Sequence, residues 1–243
     1  MTDDASTPSR GHWPAYFDAI AAIAMIIASG VVIWTLLAPS PTAAVPMLPA
    51  DASSRIPTKP ISIDGAPLKG RPDAPIAIVE FSEFQCPCCA NFANDTLPSL
   101  LRSYVDTGKV FFVFQHLPLE SIHPLAFDAA VAAECANEQG QFWQMHDALF
   151  RIQKGLKPTS FAEQAERLGL DERDYDECIE QATAPDRVRV SLARAKELSV
   201  TATPTFFLGR RQVDGRIKVM RRVSGAQPLS AFEEALKSIQ EFP

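Results

Sequence analysis

Three of the five cysteines in this 243-residue chain, Cys86, Cys88 and Cys89, fall within four residues. The run Cys86-Pro87-Cys88-Cys89 contains a C-x-x-C, a spacing that sets two sulfurs about one helical turn apart and lets them close a small disulfide ring. A thiol at a helix N-terminus meets unpaired amides and the positive dipole end, which favour the thiolate. Such thiols fall to about 3.5–7.5 from a free value near 8.5. Stabilising the thiolate stabilises the reduced form, so the matching disulfide is a stronger oxidant. Pro87 suits the first helical position, where a missing N–H costs no bond. The same spacing also serves as half of a zinc site. Zinc normally needs a second pair, and Cys135 and Cys178 are not spaced as one. A soft-metal site for Cu(I) or zinc in a metallochaperone stays as an alternative of a different class, although no His or Met pair adjoins the triplet.

The flanking residues supply the elements that must hold these thiols. Residues 74–84 form an apolar, β-branched run ending just before Cys86, suited to a buried strand. From Cys86 to about Tyr104 the pattern is helical, with Pro98 inside as a kink. Lys109–His116 reads as a second strand. A long helical stretch over about 122–198 follows, in pieces broken at Gly140, Gly155–Pro158, Gly169 and Pro185. Within it Tyr175, Cys178, Ile179 and Ala182 are spaced as one apolar face, as are Val188, Leu192 and Ala195. Short strands return at Thr205–Leu208 and Ile217–Val223, and a helix over 228–241 puts Phe232, Ala235, Leu236 and Ile239 on one stripe. Two strand–helix halves with helices between them predict an α/β sheet carrying an all-helical insertion, about residues 119–198.

The segment IVEFSEFQCPCCANF resembles the active-site region of the DsbA-like thiol–disulfide oxidoreductases of the thioredoxin superfamily. Glu80 stands six residues before Cys86, where that family keeps a buried acid that relays the proton of the second cysteine. Thr203-Pro204, in TATPTFFLG, matches the family's cis-proline loop facing the disulfide. The resemblance covers about residues 61–243 and implies a thioredoxin-like fold, a redox-active Cys86–Cys89 disulfide, and reduced or misoxidised client proteins as substrates. It also implies a quinone-linked membrane partner that reoxidises the couple, and neither cofactor nor metal. In that reading Cys86 is the exposed nucleophile, Cys89 resolves the mixed disulfide, and Glu80, Thr203 and Pro204 complete the catalytic set. The residue between Pro87 and Cys89 is Cys88, where the best-known members carry histidine or an aromatic. That departure leaves open oxidation of clients against reduction or isomerisation. Some members hold a second, structural disulfide in the helical region. In an oxidising compartment two cysteines of one helical subdomain tend to bridge, so Cys135 and Cys178 are expected to pair. Cys88 is then the extra thiol that makes the count odd.

The four histidines, His12, His116, His123 and His146, are scattered and none adjoins a cysteine, so structural or surface roles are expected. The N-terminus reads as a membrane anchor. Ala19–Ala38 carries no charge, and 20 residues make about 30 Å of helix, the thickness of a bilayer core. Trp34 at one end and Trp13 and Tyr16 before the other suit the interfaces. The acidic flank, with Asp3, Asp4 and Asp18 against Arg10, does not suit a cleaved signal peptide. Arg10 weakly favours a cytoplasmic tail (1–18), placing everything after Ala38 on the extracytoplasmic side of a bacterial cell membrane. Residues 39–60, with six prolines, form an extended spacer. A formal net charge of −6 excludes a dedicated nucleic-acid binder.

Overall fold

A computed structural model describes residues 56–241. The tail, the anchor expected at 19–38 and most of the spacer lie outside the described residues. Among those described, no helix is long and apolar enough to cross a membrane.

Five strands form one sheet in the order β1-β3-β2-β4-β5. β1 is Leu68–Lys69, β2 Ile76–Ser82, β3 Val110–His116, β4 Thr205–Arg211 and β5 Ile217–Ser224. β2 and β3 run parallel, joined by a helical run, residues 87–105, called α1 here. Both strands are buried along their whole length, which is why they read as continuous apolar stretches rather than alternating ones. β4 runs antiparallel to β2, and β5 antiparallel to β4. Gly209 sits at a register shift between them. A Cβ there would stand 2.2 Å from the Lys218 carbonyl oxygen, so only glycine lets the two strands close.

Strand parity sorts the core. Ile76 and Ile78 of β2, Val110 and Phe112 of β3, and Phe206 and Leu208 of β4 face α1 and the last helix, α7 (Leu229–Glu241). On the α7 side this layer is closed by Phe232, Leu236 and Ile239. Ala77, Val79, Phe81, Val113 and Phe207 face the other way, against Ala195 and Val200. Glu80 and Ser82 share parity with Ile76 and Ile78, so the strand aims both polar side chains at the α1 layer. The first turn of α1, Pro87–Asn91, is followed by a π turn at Phe92–Thr96, an α turn at Leu97–Leu100 and a second π turn at Leu101–Val105. The helical run expected to bend at Pro98 therefore carries its irregularity as wide turns on both sides of that residue.

The insertion between β3 and β4 holds five helices. These are α2 (Ala126–Glu138), α3 (Phe142–Ile152), α4 (Ser160–Arg167), α5 (Glu172–Glu180) and α6 (Thr183–Glu197). Two expectations need correcting. Pro185 does not break a helix but lies in the first turn of α6, where no intrahelical N–H is required. Of the apolar face drawn on α5, Tyr175 and Cys178 are buried, but Ile179 is 40% exposed, so the stripe is narrower than its spacing implied. Cys135 on α2 and Cys178 on α5 form a disulfide with Cα atoms 5.6 Å apart, closing a 43-residue span inside the insertion.

By chain-entropy reasoning a loop of that span is worth about 4 kcal/mol. The double variant Cys135→Ala/Cys178→Ala should therefore unfold in urea with a stability lower by about 3–4 kcal/mol. A loss below about 1 kcal/mol would show that the helical packing alone carries the insertion.

Candidate active site

The site is built where β2 ends and α1 begins. After Ser82 the chain turns through Glu83, Phe84 and Gln85 and enters α1 with Cys86 as its N-cap, in extended geometry (φ −70°, ψ 118°). Pro87 takes the first helical position. This junction gives the cysteines different surroundings. Cys86 Sγ lies 3.4 Å from the backbone N–H of Cys89, which donates to it as a capping bond. Cys89 is fully buried and Cys88 is exposed; Cys86, expected as the exposed nucleophile, is only 6% exposed because its sulfur turns in to cap the helix and meet the Thr203 loop; all three are free thiols.

The loop that follows α6 faces this couple. Thr203–Pro204 is a cis peptide, and the Cys86 thiol reaches the Thr203 carbonyl oxygen at 3.5 Å. Thr205 Oγ1 donates to the Ala202 carbonyl at 2.7 Å, and the Gly225 N–H donates to the Pro204 carbonyl at 2.8 Å, so both ends of the loop are tied down.

Electrostatics separates the two thiols. The Cys86 thiol is held down to about 5, mainly because the Cys89 thiol donates a hydrogen bond to its sulfur. Burial opposes this, while the Thr203 side chain and the amides of Cys89 and Cys88 add to it. Cys89 is pushed the other way, first by burial and then by the neighbouring Cys86 sulfur and the Glu80 carboxylate. The pair thus holds one proton on Cys89 and presents a thiolate at Cys86.

Glu80 lies beneath them, 1% exposed, between Phe114 of β3 and Phe206 of β4 in the strand register. Burial raises its carboxyl to about 8, and the Cys86 charge adds to the rise. The Ser82 hydroxyl offsets part of this without reaching hydrogen-bond geometry, and neither Glu80 oxygen has a hydrogen-bond partner among the described residues. A buried carboxyl without partners is retained at a cost, and one that titrates near neutral pH suits proton transfer.

Of the residues named from the sequence, Cys86, Cys89, Glu80, Thr203 and Pro204 meet here, Cys88 stands exposed at the edge, and Cys135 and Cys178 are bonded to each other in the insertion. Others emerged only from the fold. Glu83, fully buried and three residues before Cys86, accepts the Gln85 N–H at 2.6 Å and contacts His123 Nδ1. Burial raises its carboxyl, while the Gln85 N–H and His123 pull it back. Gln153, just after α3, donates to the carbonyls of Phe84 and Cys86. His146 is fully buried beside Phe84 and Phe150, and burial lowers its pKa against the pull of Asp147, 2.8 Å from its Nδ1. His116 meets Glu134 at 2.9 Å. Three histidines that look unrelated in sequence therefore surround the active-site turn and the core behind it. For His116 and His146 the only sequence signal was polarity inside aromatic runs, and His123 carried none. Among the described residues, no three His, Cys, Asp or Glu side chains converge as metal ligands, and Cys88 is exposed where Cys86 and Cys89 are buried.

Residues 63–223, about two thirds of the chain, match the model of the thioredoxin family. The chain belongs to the thioredoxin family. Its fold is of the DsbA type, with the helical insertion. It superposes on Wolbachia pipientis alpha-DsbA1 with a TM-score of 0.66 and 24% identity, covering 74% of this chain and 92% of that one. For oxidised BdbD from Bacillus subtilis the values are 0.65 and 22%, over 75% and 97% of the two chains. The thiol–disulfide exchange protein alpha-DsbA2 from Wolbachia pipientis gives 0.57 and 20%, over 71% and 86%. In sequence, the Na(+)/H(+) antiporter NhaA 3 of Salinispora tropica is 36% identical over 176 residues, 72% of this chain and 26% of the antiporter. The NhaA 1 antiporter of Salinispora arenicola is 35% identical over 160 residues. This thioredoxin-family chain thus spans about a quarter of the length of the curated relatives it matches.

The raised Glu80 sets a sign that can be measured. A carboxyl bound at about 8 in the folded state and near 4.5 when unfolded favours folding fully below about pH 4.5. That contribution is lost as pH rises through 8. Cys86, depressed to about 5, works in the opposite direction, so the informative quantity is the difference between variant and parent. Glu80→Gln should leave reduced protein as stable as the parent at pH 4.5 and more stable by a few kcal/mol at pH 8.5 in urea unfolding. It should also slow release of Cys89 from the disulfide by roughly 10²-fold. Equal stabilities at both pH values would place Glu80 in ordinary solvent contact.

Proposed function

We propose that this protein is an extracytoplasmic, membrane-anchored thiol–disulfide oxidoreductase that acts on client proteins through its C-P-C-C site. The observation that carries the reading is the division of labour between the two thiols: an N-cap Cys86 held as thiolate and a buried Cys89 held protonated over a carboxyl with a raised pKa. An inert buried cysteine pair has no use for that asymmetry.

In the oxidising direction a client thiolate attacks Cys86 of the Cys86–Cys89 disulfide. Its S–S bond breaks, and Cys89 leaves with the electron pair and takes a proton from Glu80. A second client thiolate then attacks the client sulfur of the mixed disulfide, releasing Cys86 as a thiolate that its surroundings stabilise. Two electrons pass from the client dithiol to the couple. Regeneration needs an acceptor of two electrons, for which a quinone-linked membrane partner is the expected class. Its action returns the Cys89 proton to Glu80. The depressed Cys86 favours oxidation of clients over the reductase or isomerase direction, because a stabilised thiolate stabilises the reduced enzyme.

The placement outside the cytoplasm rests on the uncharged span at 19–38 and on the Cys135–Cys178 disulfide, which suits an oxidising compartment. The proline-rich spacer would hold the domain clear of the bilayer.

Two variants test the assignment together. Cys86→Ser should abolish oxidative refolding of a reduced model protein, while Cys89→Ser should accumulate mixed disulfides on Cys86. Collected from cells, those adducts should sediment with membranes and contain envelope proteins. Full activity in both variants would overturn the mechanism, and adducts made of soluble cytoplasmic proteins would overturn the placement.

A further inference from the structure

The turn that carries Cys86 is tied to the insertion by side chains that the reaction itself does not use. Glu83 contacts His123, Gln85 Oε1 accepts the Leu125 N–H at 2.5 Å, and Gln153 closes the opposite side. The first two residues are held from the loop before α2. Gln153 comes from the other direction, at the point where α3 ends and a 3₁₀ turn (Gln153–Gly155) begins.

Gln153 makes an unusual pair of bonds. Its single side-chain nitrogen donates to the Cys86 carbonyl at 2.7 Å and to the Phe84 carbonyl at 3.1 Å. An amide nitrogen carries two hydrogens, so each carbonyl receives one. The Cys86 carbonyl already accepts the Ala90 N–H at 3.1 Å, the bond that opens α1. Phe84 itself is fully buried against Phe114 and Phe150, so its carbonyl lies in apolar surroundings. Residues 84 and 86 are thereby fixed relative to each other. That fixes the extended N-cap geometry in which Cys86 Sγ meets the Cys89 N–H. The Gln153 amide also places partial positive charge beside the residue that must carry the thiolate.

We propose that Gln153 is a positioning residue for the Cys86 nucleophile, through which the helical insertion sets how readily Cys86 forms and leaves as a thiolate. The proposal rests on the redox assignment of Cys86 and Cys89 above, but its measurement does not depend on any client. Glu83 and Gln85 tie the turn to the insertion beside Cys86, but among the described hydrogen bonds Gln153 is the insertion side chain that bonds the Cys86 backbone itself. The disulfide between α2 and α5 then has a second use, because it steadies the helical unit from which Gln153 reaches.

The test uses the full chain in reduced form. Thiolate absorbance at 240 nm is followed against pH, together with the rate at which iodoacetamide blocks Cys86, in a Cys88→Ser background that removes the exposed thiol. Gln153→Met keeps the length and removes the donor; Gln153→Leu removes the donor as well, and neither adds charge. Each should move the Cys86 titration upward, lowering the thiolate-to-thiol ratio at a fixed pH below the transition by roughly tenfold, one pKa unit. A residue that merely packs would lower the melting temperature and leave the titration in place. That result, or an unmoved titration in either folded variant, overturns the proposal. If Gln153→Met does not fold, Gln153→Leu gives the same reading alone. If Cys86 shows no depressed titration even in the parent, the redox assignment fails before the Gln153 claim is reached.

Discussion

Everything in this molecule that could do chemistry depends on one hydrogen-bonded junction, the cap that Cys86 places on the first turn of α1. The cap bond from the Cys89 N–H, the thiol of Cys89 and the helix dipole all act on one sulfur. They overcome the burial that by itself would keep that sulfur protonated. Because Cys89 lies one turn further in, the same geometry that stabilises charge on Cys86 penalises it on Cys89. A single backbone turn thus makes two identical side chains chemically unlike.

The rest of the fold holds that turn in place. The parallel β2–β3 pair delivers Glu80 to the α1 face by strand parity, among phenylalanines that leave its carboxyl without a partner. β4 and β5 fix the loop bearing Thr203 and Pro204. The insertion approaches from the remaining side and reaches the couple through Gln153, while its own disulfide ties two of its helices together. The buried polar groups here are costly, and their concentration around two sulfurs is where local rules of burial are broken in favour of function.

Much of this was legible in the sequence, for identifiable reasons. The strands were long apolar runs, the α7 stripe kept a clean helical period, and the C-x-x-C lay where strand changed to helix. Glu80 could be singled out because its spacing from Cys86 matches a known pattern. What could not be read were contacts set by tertiary approach. Glu83 and His123 are 40 positions apart, Gln153 lies 67 from Cys86, and nothing local marks these residues as neighbours. Ile179 was misplaced for the same reason, since spacing defines a face but not how much of it the neighbouring helices cover. Pro185 shows that a breaker residue in mid-pattern can instead mark a helix start.

The central claim is that the surroundings of Cys86 stabilise the reduced couple. The most direct measurement is the equilibrium of the Cys86–Cys89 pair with glutathione, read as a reduction potential. The account predicts a value near the oxidising end, closer to about −120 mV than to the about −270 mV of thioredoxin. A potential at the thioredoxin end would contradict it, since a thiolate held down to about 5 could not then govern the couple.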